Sequence, residues 1–553
     1  MNGQSNSKRM DNPWKNAEAK LKRALRAAGR NPAEAATITA RMQAAAQRRP
    51  ADALPIYDEV MGLYAGLVAG GRKEFEDDLL ALFEEKARTQ MDAGDAAGAS
   101  QEYDRAIELL EKRADGNSRG QPTEALARVC FDKALALHAL DDPRGAAALY
   151  DRAIAIRQEL VNQQGRRSLL SELANAYTGK GVMVLNMGDK AGALALYDQA
   201  IAILDPLVFK KHRHDLAEDW SGVCRNKADV LSDLGDSKGA VEIYDRVIEL
   251  WERRVSDEIL GAHPDLLANL YFRKADVIGP LGDNLGAAVL LDRVIIILER
   301  LVLKEGRRDL LRDLAQAYRI RAIQSNLLGD RLGAVAFLDQ AIALSQNHPE
   351  LAKVLAIACL DKAEMALALD KDEEAAALCD RAIPILDRLV QEEGSPELAS
   401  DLATAYSRKT QALEALGDKL GVRTLYDKVI GLRELLSERY GRIELAEAYE
   451  NKADAISAEG DHPGALTLYD QAVPIWERLV KEEGSYDLIP VLSRSKAIRG
   501  QIRIALGRKA EGLEDLRSVR DLLVAEMSRT GRDGFETHLA WVDQKIAKHT
   551  ARE

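Results

Sequence analysis

The 553-residue sequence predicts an all-α fold, an α-solenoid of stacked antiparallel helix hairpins, on three observations. Apolar residues recur at helical intervals in blocks one helix long: Leu173, Ala176, Tyr177, Val184 and Leu185 in one, Ala193, Leu196, Tyr197, Ala200 and Ile201 in the next. Gly188-Asp189 breaks the helix between them, so the two blocks read as a hairpin. The hairpin then repeats. With the tyrosine of a Tyr-Asp pair as ruler, the positions are Tyr57, Tyr103, Tyr150, Tyr197, Tyr244, Leu291, Leu338, Cys379, Tyr426, Tyr469 and Arg517. They are spaced by 46, 47, 47, 47, 47, 47, 41, 47, 43 and 48 residues. One such hairpin cannot bury its apolar face alone, so copies must stack.

Length here counts repeats, because an array grows in one dimension without enlarging a single core. Apolar residues make up 46% of the chain and aromatics only 5%, so close helix contact through Ala and Leu is expected. Lys and Arg number 77 against 89 Asp and Glu, a net charge of −12, which repels phosphate backbones and anionic membranes and argues against nucleic acid. No run reaches the ~18 apolar residues of a membrane span, and the first residues lack the apolar segment of a secretory signal. A soluble, cytoplasmic protein is therefore expected. Four cysteines without a C-x-x-C pair give no disulfide framework or zinc site.

In chain order, residues 1–13 are polar and Gly/Asn/Ser-rich and are expected to be a disordered tail. Residues 14–60 read as capping helices, Trp14 to about Ala28 and Ala33 to Arg48, followed by a degenerate first repeat around Tyr57. Residues 61–525 carry about ten hairpins, with turns such as Gly94-Asp95, Gly188-Asp189, Gly282-Asp283, Gly417-Asp418 and Gly460-Asp461. Glycine suits the left-handed residue ending the first helix, and aspartate can cap the second. Small residues such as Ala134, Gly181 and Ala228 face Ala146, Ala193 and Ala240, letting paired helices approach. The short 41- and 43-residue intervals should fall in loops near Gln346–Pro349 and Ser437–Arg442. Residues 526–553 read as a C-terminal cap, with a helix from Phe535 to Lys548 bearing Trp541, and a tail.

Tyr177, Gly181, Gly188-Asp189, Ala193, Tyr197 and Ala200 form a pattern that resembles the tetratricopeptide repeat. The resemblance covers roughly residues 50–525 and implies a right-handed superhelix. Two departures stand out: the unit exceeds the usual ~34 residues, and the closing proline is generally missing. The second helix should thus run on to loops such as 163–167 and 304–308.

A cation recurs eight residues before the turn, at Lys86, Lys133, Lys180, Lys227, Lys274, Arg321, Lys362, Lys409, Lys452 and Arg499. An aspartate is equally fixed after the ruler position, from Asp58 and Asp104 to Asp470. An ion ladder along the stack is expected, setting register more than stability. Cys130, Cys224 and Cys359 stand where other repeats carry Phe83, Tyr177 or Tyr271, and Cys379 replaces a ruler tyrosine, so all four read as small core residues. His212-Arg213-His214, with Arg166-Arg167 and Arg307-Arg308, reads as a solvated basic fringe. Gly179-Lys180-Gly181 lies inside a helix, lacks a third glycine and is not a phosphate loop. No catalytic motif is present, and neither catalytic residue, cofactor nor metal ligand is assigned.

The resemblance implies that the first helix of each hairpin lines a concave groove for an extended peptide or a partner helix. The polar set there is Asn175 and Thr178; Arg225, Asn226 and Asp229; Asn269, Arg273 and Asp276; Gln316 and Arg319. Amides bond peptide backbones and arginine forks suit carboxylates. The function expected is a non-enzymatic interaction scaffold or adaptor binding a protein or peptide partner. Alternatives are a regulatory or sensor subunit whose array changes shape on ligand binding to control a partner enzyme, and, disfavoured by charge, an RNA-binding repeat.

Overall fold

A computed structural model describes residues 17–48, 50–116, 123–256, 263–393, 396–436, 441–530 and 535–550. The expected tail 1–13, the helix start at Trp14 and most of the loop at 437–442 lie outside the described residues. Among the described residues there are 24 α-helices and no strand. The chain divides into two compact units, Met1–Ile259 and Leu260–Glu553.

The first unit opens with α1 (Ala17–Ala27), α2 (Glu34–Arg48) and α3 (Leu54–Ala69). Four hairpins follow: α4 (Glu76–Asp92) with α5 (Ala96–Gly116), α6 (Glu124–Ala139) with α7 (Pro143–Asn162), α8 (Leu170–Asn186) with α9 (Lys190–Asp205), and α10 (Ala217–Asp233) with α11 (Ser237–Ser256). Each pair packs closely, and each hairpin also packs on the next. The second unit holds α12 (Pro264–Ile278) with α13 (Asn284–Glu299), α14 (Leu311–Leu327) with α15 (Arg331–Ser345), and α16 (Ala352–Leu367) with α17 (Asp372–Glu393). It continues with α18 (Pro396–Ala415) and α19 (Lys419–Leu436), α20 (Arg442–Ala458) and α21 (His462–Lys481), α22 (Ile489–Ala505) and α23 (Lys509–Thr530), and closes on α24 (Glu536–Thr550). Val542 of α24 is buried with Leu516, Val519 and Leu523, so α24 caps the apolar end of the last hairpin.

The repeated turn obeys one rule. Gly188 has φ of 87°, the left-handed conformation that ends α8 without a Cβ penalty. The Asp189 carboxylate then accepts the Gly192 N–H at 2.8 Å and caps α9. Asp142, Asp236, Asp283, Asp330 and Asp461 cap their helices through the same N–H, three residues on. The ruler side chains are interior: Tyr150, Tyr197, Tyr244, Leu291, Cys379 and Tyr469 are all buried. The last ruler position needs correction. Arg517 is exposed, and fully buried Leu516, 47 residues after Tyr469, takes its place.

A Cβ on Gly181 would lie 2.5 Å from the Tyr197 ring, so α8 and α9 meet more closely than the alanines at this position elsewhere would allow. Leucine at Gly181 is expected to lower stability by about 2–3 kcal/mol through overpacking, less the helix propensity gained over glycine. Alanine should lose clearly less. Urea midpoints decide; a Gly181→Leu chain melting like the parent would show the contact to be slack.

The second helices run long, as expected from the missing proline, with α7 reaching Asn162. Unanticipated are the π turns Pro206–Lys210 and Arg300–Lys304 that extend α9 and α13. Pro206 offers no N–H and so frees the local hydrogen-bond register; Arg300 carries no such signal. The 41-residue interval arises because α15 stops at Ser345, before the loop Gln346–His348. One expectation on apolar runs is also corrected. Lys190–Lys210 is long and apolar enough to cross a membrane by length and composition. The excess comes from exposed Ala191, Ala195, Ala202 and Phe209, while Ala193, Tyr197, Ala200 and Leu204 are buried.

The ion ladder forms between hairpins within each unit, nine cations reaching the aspartate of the preceding second helix. In the first unit Lys86–Asp58, Lys180–Asp151 and Lys227–Asp198 each lie at 2.6 Å, and Lys133 pairs with Asp104. In the second, Arg321–Asp292 lies at 2.7 Å, Lys362–Asp339 at 2.8 Å and Arg499–Asp470 at 3.3 Å, and Lys409 and Lys452 pair with Asp380 and Asp427. The aspartates are mostly open to water, so one rung contributes ~0–1 kcal/mol and acts on register.

The cysteines are free and buried. Burial pushes the Cys224 thiol up to about 12 and that of Cys379 up to about 11, far from a reactive thiolate. The basic fringe is locally neutralised: Arg166 pairs with Glu124, Arg213 with Asp215 at 2.7 Å and Arg307 with Asp309 at 2.7 Å.

Candidate partner-binding surface

The first helices of successive hairpins touch within the second unit, α14 against α16 and α16 against α18. Their polar faces form the candidate surface. Each first helix offers the same places, set by i, i+3, i+4 and i+7 spacing. Asn175, Asn269, Gln316, Thr404 and Glu447 are equivalent, as are Thr178, Arg225, Arg319 and Ser407. Asn226, Arg273, Asp361, Arg408 and Asn451 form a third row, and Asp229, Asp276, Glu364 and Gln411 a fourth.

The expected residues fall in both units. In the first, Asn175, Thr178, Arg225, Asn226 and Asp229 are half-buried. The Thr178 hydroxyl donates to the Ala174 carbonyl at 3.0 Å, and the Asp229 carboxylate accepts the Tyr244 hydroxyl, so both serve their own hairpin. In the second, Asn269, Arg273 and Asp276 stand exposed on one face of α12. Gln316 and Arg319 turn to each other, and Arg319 pairs with Asp361 of α16 at 3.1 Å.

That last contact belongs to a second ladder, which the sequence reading missed. Arg128 reaches Glu84 at 2.8 Å, Arg408 reaches Glu364, and Arg494 reaches Glu450 at 3.4 Å, each joining first helices of neighbouring hairpins. The available signal was an arginine 42 to 44 residues from an acid on the same face. In the first unit burial also pushes the Asp132 carboxyl up to about 6, against Arg88, Arg128 and Arg157.

A defined pocket begins two hairpins beyond the last of the expected residues. A cavity of about 430 Å³ opens between α18 and α20, on a floor made by α19. Thr404, Ser407, Arg408 and Gln411 form one wall, Glu444, Glu447 and Asn451 the other, and Tyr426, Val429 and Arg433 the floor. Every wall position except that of Glu444 is among those named above; the hairpin differs. Arg433 is a buried cation at a mostly apolar place. Its equivalents are Leu110, Arg157, Leu204, Trp251, Leu298, Ser345, Leu386 and Trp476, all buried, and Arg157, unlike Arg433, meets a carboxylate, that of Glu172 at 3.4 Å. Arg433 is 8% exposed and donates to Ser400 Oγ at 3.2 Å and Thr404 Oγ1 at 3.4 Å, with no carboxylate within 4 Å among the described residues. Burial pulls its guanidinium below the ordinary value, against Glu444 and Glu447.

The acids are arranged around it without touching it. A Cβ on Gly441 would lie 3.1 Å from Glu444 Oε2 and 3.9 Å from Arg433 Nη1, which brings both charges within 4 Å of one point beside the Gly441 backbone. Glu447 is open to water on its outer side, yet burial of its inner side, then Glu444 and Glu450, hold its carboxyl above the usual range, against Arg433. Glu414 accepts the Tyr426 hydroxyl at 2.8 Å.

Fold and surface together define a helical repeat protein of tetratricopeptide-like hairpins. No family model matches the chain, and no curated protein matches it in sequence. Several solved structures are similar to it. BtubC (BKLC) from P. vanneervenii is 22% identical over 45% of this chain and 90% of that one, with a TM-score of 0.35. The TPR-like repeats of a kinesin light chain from Podosopora anserina are 17% identical over 41% and 97%, with a TM-score of 0.33. The apo form of RapI is 12% identical over 73% and 99%, with a TM-score of 0.45.

Proposed function

We propose that this chain is a non-enzymatic interaction scaffold that holds a peptide segment or partner protein on the polar face of its first helices. The observation that carries the reading is the α18–α20 pocket, lined largely by polar side chains at the first-helix face positions and large enough for one or two residues of a partner. Amide and hydroxyl groups at Asn269, Thr404, Gln411 and Asn451 suit a peptide backbone, and exposed Arg273 suits an acidic group on the partner. The partner is a protein and the working compartment the cytoplasm, a reading supported by the acidic net charge and four free buried thiols.

The test is cross-linking in the native host followed by purification of the full chain. It is run beside a variant carrying Arg273→Glu, Gln411→Ala and Asn451→Ala. A discrete partner recovered with the parent and depleted about tenfold or more with the variant is expected. Equal recovery with both chains overturns the surface, and a chain that recovers no partner, or that turns over a substrate alone, overturns the scaffold.

A further inference from the structure

The α18–α20 pocket carries more information than its size. Arg433 stands in the floor at a place that most hairpins fill with an apolar residue and α7 fills with Arg157, which pairs with Glu172; a guanidinium is costly to bury there unless an acceptor meets it. Its only hydrogen bonds among the described residues are long ones to two hydroxyls. In the α20 wall, Glu444 and Glu447 form no ion pair among the described residues, and Arg408 is already paired outward with Glu364. The pocket thus has one buried cation that wants an acceptor, and two carboxylates that want a cation. Its field is acidic on balance.

We propose that this pocket is a specificity subsite for one basic residue of a bound peptide. Glu444 and Glu447 receive its ammonium or guanidinium, and Arg433 receives its backbone carbonyl. The inference rests on the scaffold reading for its peptide, and on the pocket alone for its chemistry. A lysine or arginine spans the two needs because its carbonyl and its charged end lie a few bonds apart on one flexible stem. An acidic residue would satisfy Arg433 but meet two carboxylates. An apolar residue would leave every charge in the pocket unanswered.

The experiment titrates the full chain with N-acetyl-lysine N-methylamide and its arginine counterpart, beside the norleucine and glutamate analogues, followed by ligand-observed NMR at low salt. Saturable binding of the two basic probes is expected, with the norleucine and glutamate probes at least tenfold weaker. Glu444→Gln with Glu447→Gln should weaken the basic probes about tenfold, as for loss of a charge-assisted hydrogen bond. Both glutamates are surface-accessible, so the variant should fold, and circular dichroism confirms it. Arg433→Met should weaken the basic probes by a smaller factor and leave their preference over norleucine intact. Equal binding of the norleucine or glutamate probe, or an unchanged double-glutamine variant, overturns the subsite. A cross-linked partner that still binds the double-glutamine chain at full strength overturns the subsite while leaving the scaffold standing. Basic probes that bind a chain without any partner do the reverse.

Discussion

Lys86→Met should cost about 3 kcal/mol, while the same change at Lys180 costs ~0–1 kcal/mol, although both are rungs of one ladder. Both ammonium groups lie 2.6 Å from an aspartate of the preceding hairpin. The difference is Glu102. It is buried beside Lys86, its carboxylate 2.7 Å from the ammonium, at a place where later hairpins carry Leu149, Leu196, Leu290 and Leu468. Removing Lys86 leaves that carboxylate in a dry site where, among the described residues, only Arg105, at 3.2 Å, still reaches it. Burial pulls the Lys86 pKa down, and its hydrogen bonds to Asp58 and Glu102 more than offset this, so it ends above the ordinary lysine value. The stability it contributes is therefore fully present below the unfolded lysine pKa and lost as pH rises through the folded one. Replacing the buried pair together, Lys86→Met with Glu102→Leu, should recover most of the loss. Urea melts of the four chains measure it, and equal midpoints for the Lys86 and Lys180 variants would disprove the argument. Asp515, buried 2.6 Å from Arg499, occupies the place of Glu102 in the last hairpin.

Glu450→Ala should cost about 3 to 5 kcal/mol, whereas Glu450→Gln should be close to neutral at pH 7. Glu450 is 2% exposed and accepts from Trp476 Nε1 at 2.6 Å and from the Ser495 hydroxyl, with Arg494 at 3.4 Å. One carboxylate thus joins α20 to both α21 and α22. Alanine strands the indole donor where Trp476 has no exposure to water, while the Ser495 hydroxyl keeps the Val491 carbonyl at 2.8 Å, and it leaves a void as well. Glutamine keeps the acceptor. Burial raises the Glu450 carboxyl above the ordinary glutamate value, against its donors. The proton-linked part of its contribution is then fully present below the unfolded glutamate pKa and lost as pH rises through the folded one. The parent should gain stability on mild acidification relative to the glutamine variant, and parallel pH profiles for the two would refute this.

The hairpins, their turns and the inter-hairpin ladder could all be read from the sequence, because each depends on residues at fixed spacing. Gly188 and Asp189 dictate a left-handed residue and a cap locally, and Lys180 meets Asp151 because regular packing preserves a regular stride. The rows of the polar face were legible for the same reason, since helical geometry places Thr404 and Gln411 where it places Asn175 and Asp229. Which hairpin encloses a pocket was not legible. That depended on Arg433 entering from α19 beneath two walls 43 residues apart, and on Arg319 and Asp229 being drawn into contacts with Asp361 and Tyr244. Periodicity determines which side chains share a face. Whether a charge on that face meets a partner of its own or is left facing a cavity depends on side chains brought together from different helices, and only tertiary packing decides that.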